Sequence, residues 1–143
     1  MLVRQILNLK DSSEVLSVGP DDTVAEAARR LSQHRIGSLV VMRDGEVAGI
    51  ISERDIVREL GRRGQSCLDD PVQALMTARV VSCQSDDSAD AVLERMTEGR
   101  FRHMPVMEDG RMVGLISIGD VVKARLSELH MEKSALEGMI MGH

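Results

Sequence analysis

Apolar and polar positions along the chain fall into a pattern that occurs twice. A short β-prone run, Glu14 to Val18, precedes Val24, Ala27, Ala28 and Leu31, which recur with the spacing of one helix face. Asp22 or Thr23 stands where the cap of that helix belongs. Two apolar runs follow, Ser38 to Met42 and Glu46 to Ile51, joined by Arg43, Asp44 and Gly45. An Asp-Gly pair between β-prone runs predicts a tight hairpin. Ser52 is then placed to cap another helix, with Asp55 in the capping-box position, and that helix is expected to end at Gly61. The order is β-α-β-β-α.

The same order returns at an offset of 65 residues, without a gap, over about forty-five positions. Ser17–Val57 lies over Ser82–Val122, matching Asp21 with Asp86, Asp22 with Asp87, Arg35 with Arg100, Asp44 and Gly45 with Asp109 and Gly110, Gly49 with Gly114, Ser52 with Ser117, and Asp55 with Asp120. Around the copies the pattern predicts a short helix near Leu2 to Leu9, a polar linker from Gly61 to Pro71, and a lead-in helix for the second copy over Val72 to Met76. After Asp120 the helix is expected to run on, with Leu126, Leu129, Leu136, Met139 and Ile140 as an apolar face. The divisions are residues 1–62 for the first repeat with its lead-in, 63–71 for the linker, 72–127 for the second repeat, and 128–143 for a helical extension. At 143 residues, two units this small are expected to share one core.

Composition narrows the function. A net charge of -5 argues against a nucleic-acid partner, which would need a basic surplus. No apolar run approaches the roughly 20 residues that cross a bilayer, and MLVRQILNLKDSSE lacks the continuous apolar stretch of a signal peptide, so a cytoplasmic location without membrane contact is expected. Cys67 and Cys83 have neither zinc-site nor disulfide-framework spacing, and His34, His130 and His143 are scattered, so no metal site is expected. With Phe101 as its single aromatic and ten Met, the core must be aliphatic and thioether-filled. No nucleophile stands beside a base and no phosphate-cradling glycine loop occurs, so no catalysis is expected.

The string richest in chemistry is Gly49-Ile50-Ile51-Ser52-Glu53-Arg54-Asp55, matched by Gly114-Leu115-Ile116-Ser117-Ile118-Gly119-Asp120. A strand ends, a serine caps a helix, and an aspartate stands in its first turn. Two readings stay open. The carboxylate can complete the cap and favour the helix dipole. Alternatively its acceptor oxygens can take both hydroxyls of a ribose, with the N–H groups of the helix end close to a bound anion.

These doubled motifs, the doubled Asp-Asp-(Thr/Ser) helix entry, and the run Arg100-Phe101-Arg102-His103-Met104-Pro105-Val106 resemble a tandem CBS-domain pair, also called a Bateman module. The resemblance covers nearly the whole chain. It implies an α/β fold of α+β type, in which two pseudo-twofold-related repeats pack through their sheets and bind AMP, ADP, ATP, NAD(H) or S-adenosylmethionine in clefts between them. Asp55 and Asp120 would each hold a ribose, with Ser52 and Ser117 close by, the backbone of Ile50 and Leu115 along the adenine, and Val81 among the ligand-binding residues. Phe101, Arg102 and His103 would complete the Asp55 cleft, with Phe101 serving either as adenine flank or as core. Ile36, Gly37 and Ser38 would complete the Asp120 cleft. Arg102, His103 and Arg54 make the Asp55 cleft the expected phosphate site.

The reading is therefore a non-enzymatic regulatory module for an adenine nucleotide, AMP or NAD(H) before ATP, with no catalytic cofactor. It would signal to a regulated protein and form a homodimer through helix faces such as Ile56, Val57, Leu60, Val121 and Val122. The alternative is an interaction scaffold with vestigial clefts, whose carboxy-terminal helix docks a partner.

Overall fold

Residues 1–10 and 16–140 are described by a computed structural model, which is mixed α/β. The elements are α1 (Val3–Leu9), β1 (Ser17–Val18), α2 (Val24–His34), β2 (Ser38–Arg43), β3 (Glu46–Ser52), α3 (Glu53–Arg63), β4 (Cys83–Gln84), α4 (Ala89–Gly99), β5 (His103–Glu108), β6 (Arg111–Ser117) and α5 (Ile118–Ile140). Strands form two three-stranded sheets, ordered β1-β2-β3 and β4-β5-β6. Each has a parallel first pair and an antiparallel hairpin. Of the strand expected over Glu14 to Val18, Glu14 and Val15 lie outside the described residues, as does His143.

The two copies use the same local devices. Both hairpins turn on an Asp-Gly pair with positive φ at each residue, 51° and 81° at Asp44 and Gly45, 50° and 78° at Asp109 and Gly110. This is the twist that lets a two-residue turn join right-twisted strands. A register shift follows Val41 in one hairpin and Val106 in the other. Thr23 caps α2, its hydroxyl accepting from the N–H of Glu26 at 3.1 Å, and Ser88 caps α4 from Ala91 at 3.1 Å. Asp22 and Asp87 turn back instead, accepting from the N–H groups of Gly19 and Gln84 at 2.8 Å each.

By their contacts the residues divide into two compact units, one holding Met1–Ser13 and Ser82–His143, the other Glu14–Val81. The expected single core is replaced by two clusters. One gathers Val18, Val24, Ala27, Leu31, Leu39, Val41, Ile51, Ile56 and Val72; the other gathers Val3, Ile6, Cys83, Val92, Met96, Met104, Val106, Ile116 and Val121. Each sheet turns one face to the helices of its cluster, and the central strands bury their other face as well, at Ser38, Val40 and Pro105. Helix α1 belongs to the second of these clusters: Val3 and Arg4 donate to the carbonyls of Asp87 and Ser85 at 2.9 Å each. It was expected to lead into the first repeat. The segment after α3 mirrors this, since Val72 is buried with the first repeat and donates to Asp22 at 2.8 Å.

Several boundaries differ from expectation. Helix α3 passes through Gly61 and stops at Gly64, whose φ of 76° suits glycine. Arg62 and Arg63 bond Glu59 one turn back and hold the extra turn. The expected polar linker is wound as a 3-10 turn, Gly64–Asp69, that buries Cys67, and the lead-in over Val72 to Met76 contains a shorter one, Val72–Ala74. Ile56 and Val121, expected on a dimer face, are core residues, whereas Val57, Leu60 and Val122 are exposed. Consecutive helix residues point about 100° apart, so Val57 and Val122 turn off the side that buries Ile56 and Val121, and Leu60, one turn beyond Ile56, lies at its margin.

Candidate functional site

The two Ser-x-x-Asp motifs lie at the junctions of β3 with α3 and of β6 with α5. At the first, the Asp55 Oδ2 accepts from the Ser52 N–H at 2.9 Å and from its Oγ at 3.0 Å, while the Asp55 N–H donates to that Oγ at 3.2 Å. At the second, the Asp120 Oδ2 accepts from the Ser117 N–H at 2.9 Å, and the Asp120 N–H donates to the Ser117 Oγ at 3.1 Å. One oxygen of each carboxylate thus completes the cap. Among the described residues the Asp55 Oδ1 faces one loose contact, the Arg58 guanidinium at 4.0 Å.

The helix ends offer fewer N–H groups to an anion than the sequence suggested. Glu53 donates to the carbonyl of Gly37 at 2.9 Å, and Ile118 to that of Arg102 at 2.8 Å. These bonds fasten each helix start to the strand entry beside it. They bring Gly37 and Ser38 next to Ser52 and Asp55, and Arg102 and His103 next to Ser117 and Asp120, whereas the resemblance implied Arg102 and His103 at Asp55 and Gly37 and Ser38 at Asp120. The ladder agrees, pairing Ser38 with Ser52 and His103 with Ser117. Ser38 is buried and its hydroxyl has no hydrogen-bond partner among the described residues.

The remaining residues separate by surroundings. Arg54, Arg102 and Val81 are exposed, and His103 is half-buried. Ile36 packs on the core of its own repeat, its N–H donating to Leu31 at 3.1 Å. Phe101 also packs on its own core, its ring lying where a β-carbon on Gly99 would be, 2.0 Å from the nearest ring carbon. The core role named for it is therefore the one its contacts support. Ile50 spends both backbone groups on Thr77, at 3.0 and 2.8 Å, so it can line a base but not bond it through them.

Sequence reasoning missed Lys10. Its ammonium donates to the Leu115 carbonyl at 2.8 Å and stands 3.0 Å from the Asp120 Oδ2. Burial raises the Asp120 pKa, but the Ser117 N–H and the Lys10 ammonium outweigh it and hold the group below its ordinary value. The signal was present yet out of register. By structural role Leu7 matches Met76, since they crowd the equivalent glycines Gly114 and Gly49. Lys10 then corresponds to Arg79, an equivalence that the 65-residue offset of the repeat bodies conceals.

A family model for the CBS domain matches residues 3–62 and again 72–127. The chain belongs to the CBS-domain family. Among CBS relatives, the CBS domain-containing protein CBSX3, mitochondrial, of Arabidopsis thaliana is 38% identical over 127 residues, covering 85% of this chain; the match spans 62% of that relative's own length. The crystal structure of the CBS-domain containing protein ATU1752 from Agrobacterium tumefaciens is 47% identical, with a TM-score of 0.83 over 87% of this chain and 99% of its own. The CBS domain protein PAE2072 from Pyrobaculum aerophilum, solved as a complex with AMP, is 26% identical, with a TM-score of 0.78 over 92% of this chain and 99% of its own.

Proposed function

We propose that this CBS pair is a regulatory binding module for an adenine nucleotide, with AMP or NAD(H) ahead of ATP, and that it acts through a partner protein rather than by catalysis. The observation that carries the reading is the repeated junction at which an aspartate, fixed by its own serine, stands at the end of a strand in a fold whose relative is complexed with AMP. A carboxylate so held is already oriented, which lowers the ordering cost of gripping a ribose diol. In this reading Asp55 holds the ribose and Arg54, from the same helix start, serves the phosphate. The unpartnered Ser38 hydroxyl beside Ser52 adds a polar group in want of an acceptor.

The test is a dye-monitored thermal shift with AMP, ADP, ATP, NAD, NADH and S-adenosylmethionine on wild type, Asp55→Ala and Arg54→Glu. A ligand at about 100 times its dissociation constant stabilises by about 2.7 kcal/mol. One adenine ligand should raise the melting temperature of wild type, lose that effect in Asp55→Ala, and, if phosphorylated, lose it in Arg54→Glu. No shift with any of them overturns the nucleotide reading and favours the scaffold, for which α5 offers exposed Leu126, Leu129, Leu136 and Met139. We also propose a homodimer, now through Val57, Leu60 and Val122 rather than the buried Ile56 and Val121.

A further inference from the structure

We propose that Lys10 is a built-in competitor for the Asp120 site, so that the two aspartates are unequal and an adenine nucleotide enters at Asp55 first. The inference rests on the nucleotide reading and assigns the order and number of ligands that reading takes.

Three groups at the second junction would serve a nucleoside, and one side chain touches two of them. The Lys10 ammonium lies 3.0 Å from the Asp120 Oδ2 and 2.8 Å from the carbonyl of Leu115, the residue whose backbone is expected along the adenine. A ribose diol and an ammonium both seek that carboxylate, and this contest, not the engaged carbonyl, sets the two sites apart, since the Ile50 carbonyl is likewise taken by Thr77. The contact is not a fringe encounter of two long, exposed side chains. Both partners are about two-thirds or more covered, with side-chain exposures of 31% and 25%, and Lys10 closes α1, which is anchored by buried Val3 and Ile6. Charge-assisted bonds of this length, partly shielded from water, are stronger than an exposed pair.

The first junction has no such occupant among the described residues. The matching lead-in residue, Arg79, is exposed and forms no ion pair or hydrogen bond there. Ile50 is bonded by the backbone of Thr77 in place of a side chain, and the cation nearest to the Asp55 carboxylate is Arg58 at 4.0 Å. One site is thus guarded by a charge on the lead-in, and its counterpart is not.

Titration calorimetry with AMP decides the matter on four proteins: wild type, Lys10→Met, Lys10→Arg and Lys10→Met with Asp55→Ala. Wild type should take one AMP per chain with high affinity. Lys10→Met, which keeps the stem and removes the charge, should bind a second AMP roughly tenfold more tightly than wild type does. Lys10→Arg should behave as wild type, and the double variant should bind one AMP. Equal filling of both sites by wild type, or a Lys10→Met isotherm identical to that of wild type, overturns the proposal while leaving the nucleotide reading intact. Absence of heat in every variant with AMP, NAD, NADH and ATP alike overturns both. A carbon-13 titration of the Asp120 carboxyl, which needs no ligand, should show its midpoint rise in Lys10→Met, and an unmoved midpoint overturns the pairing itself.

Discussion

Asp120 and Asp55 stand at the same place in the two repeats, yet their surroundings differ. The Ser117 N–H and Lys10 together overcome the effect of burial on Asp120 and depress its pKa. A carboxyl with a folded-state pKa below its unfolded value adds stability above the ordinary carboxylate range, and that contribution fades as the pH falls through the folded value. Removing the charge by Lys10→Met should therefore narrow the stability difference between neutral and acid solution, as read by urea denaturation at a series of pH values. Cys83 gives a second prediction at this scale. Burial first, and then the nearby Asp87 charge, push its thiol up to about 11. At neutral pH it stays protonated and should resist a thiol-reactive dye until the protein unfolds; prompt labelling of Cys83 in a Cys67→Ala background would contradict this. The caps and turns were legible in the sequence because each is a local contract between residues no more than four apart. Lys10 was not, because its partner lies 110 residues away in the chain.

Among the elements, the lead-ins explain why glycine precedes each Ser-x-x-Asp motif. A β-carbon at Gly49 would stand 2.6 Å from the Thr77 carbonyl oxygen and 2.8 Å from the Met76 sulfur, so the Val72 segment could not lie against β3. At Gly114 the nearest atom is a methyl carbon of Leu7 at 2.9 Å, the tip of a side chain that can turn away. Gly49→Ala should thus destabilise by about 1–3 kcal/mol and Gly114→Ala by distinctly less, measured by chemical denaturation. Equal effects would mean that the backbone contact at Thr77 yields as readily as a leucine tip. Strand and helix cores were readable from periodicity, since burial of Val24, Ala27 and Leu31 follows the predicted face. The overrun of α3 and the 3-10 winding beyond it were not. Gly61 carries the usual stop signal, but the bonds of Arg62 and Arg63 to Glu59 extend the helix to a better-suited glycine.

At the scale of the whole molecule, the doubled sequence made the β-α-β-β-α plan and the family visible, whereas the allocation of the lead-ins to the units was hidden. Hydrophobic pattern says that Val3, Ile6 and Val72 are buried; it does not say against which copy. The exposed residues Val57, Leu60 and Val122 carry the association prediction: sedimentation at micromolar concentration should show a dimer, and Val57→Glu with Val122→Glu should give a monomer that still folds. A wild-type monomer would remove these residues as an interface. The allocation of the lead-ins also has a consequence for where the chain can be cut. The unit Glu14–Val81 is one continuous stretch with its own covering segment, whereas the other is closed by a piece from the far end of the chain, so a fragment begun at Ser82 leaves behind the helix that roofs it.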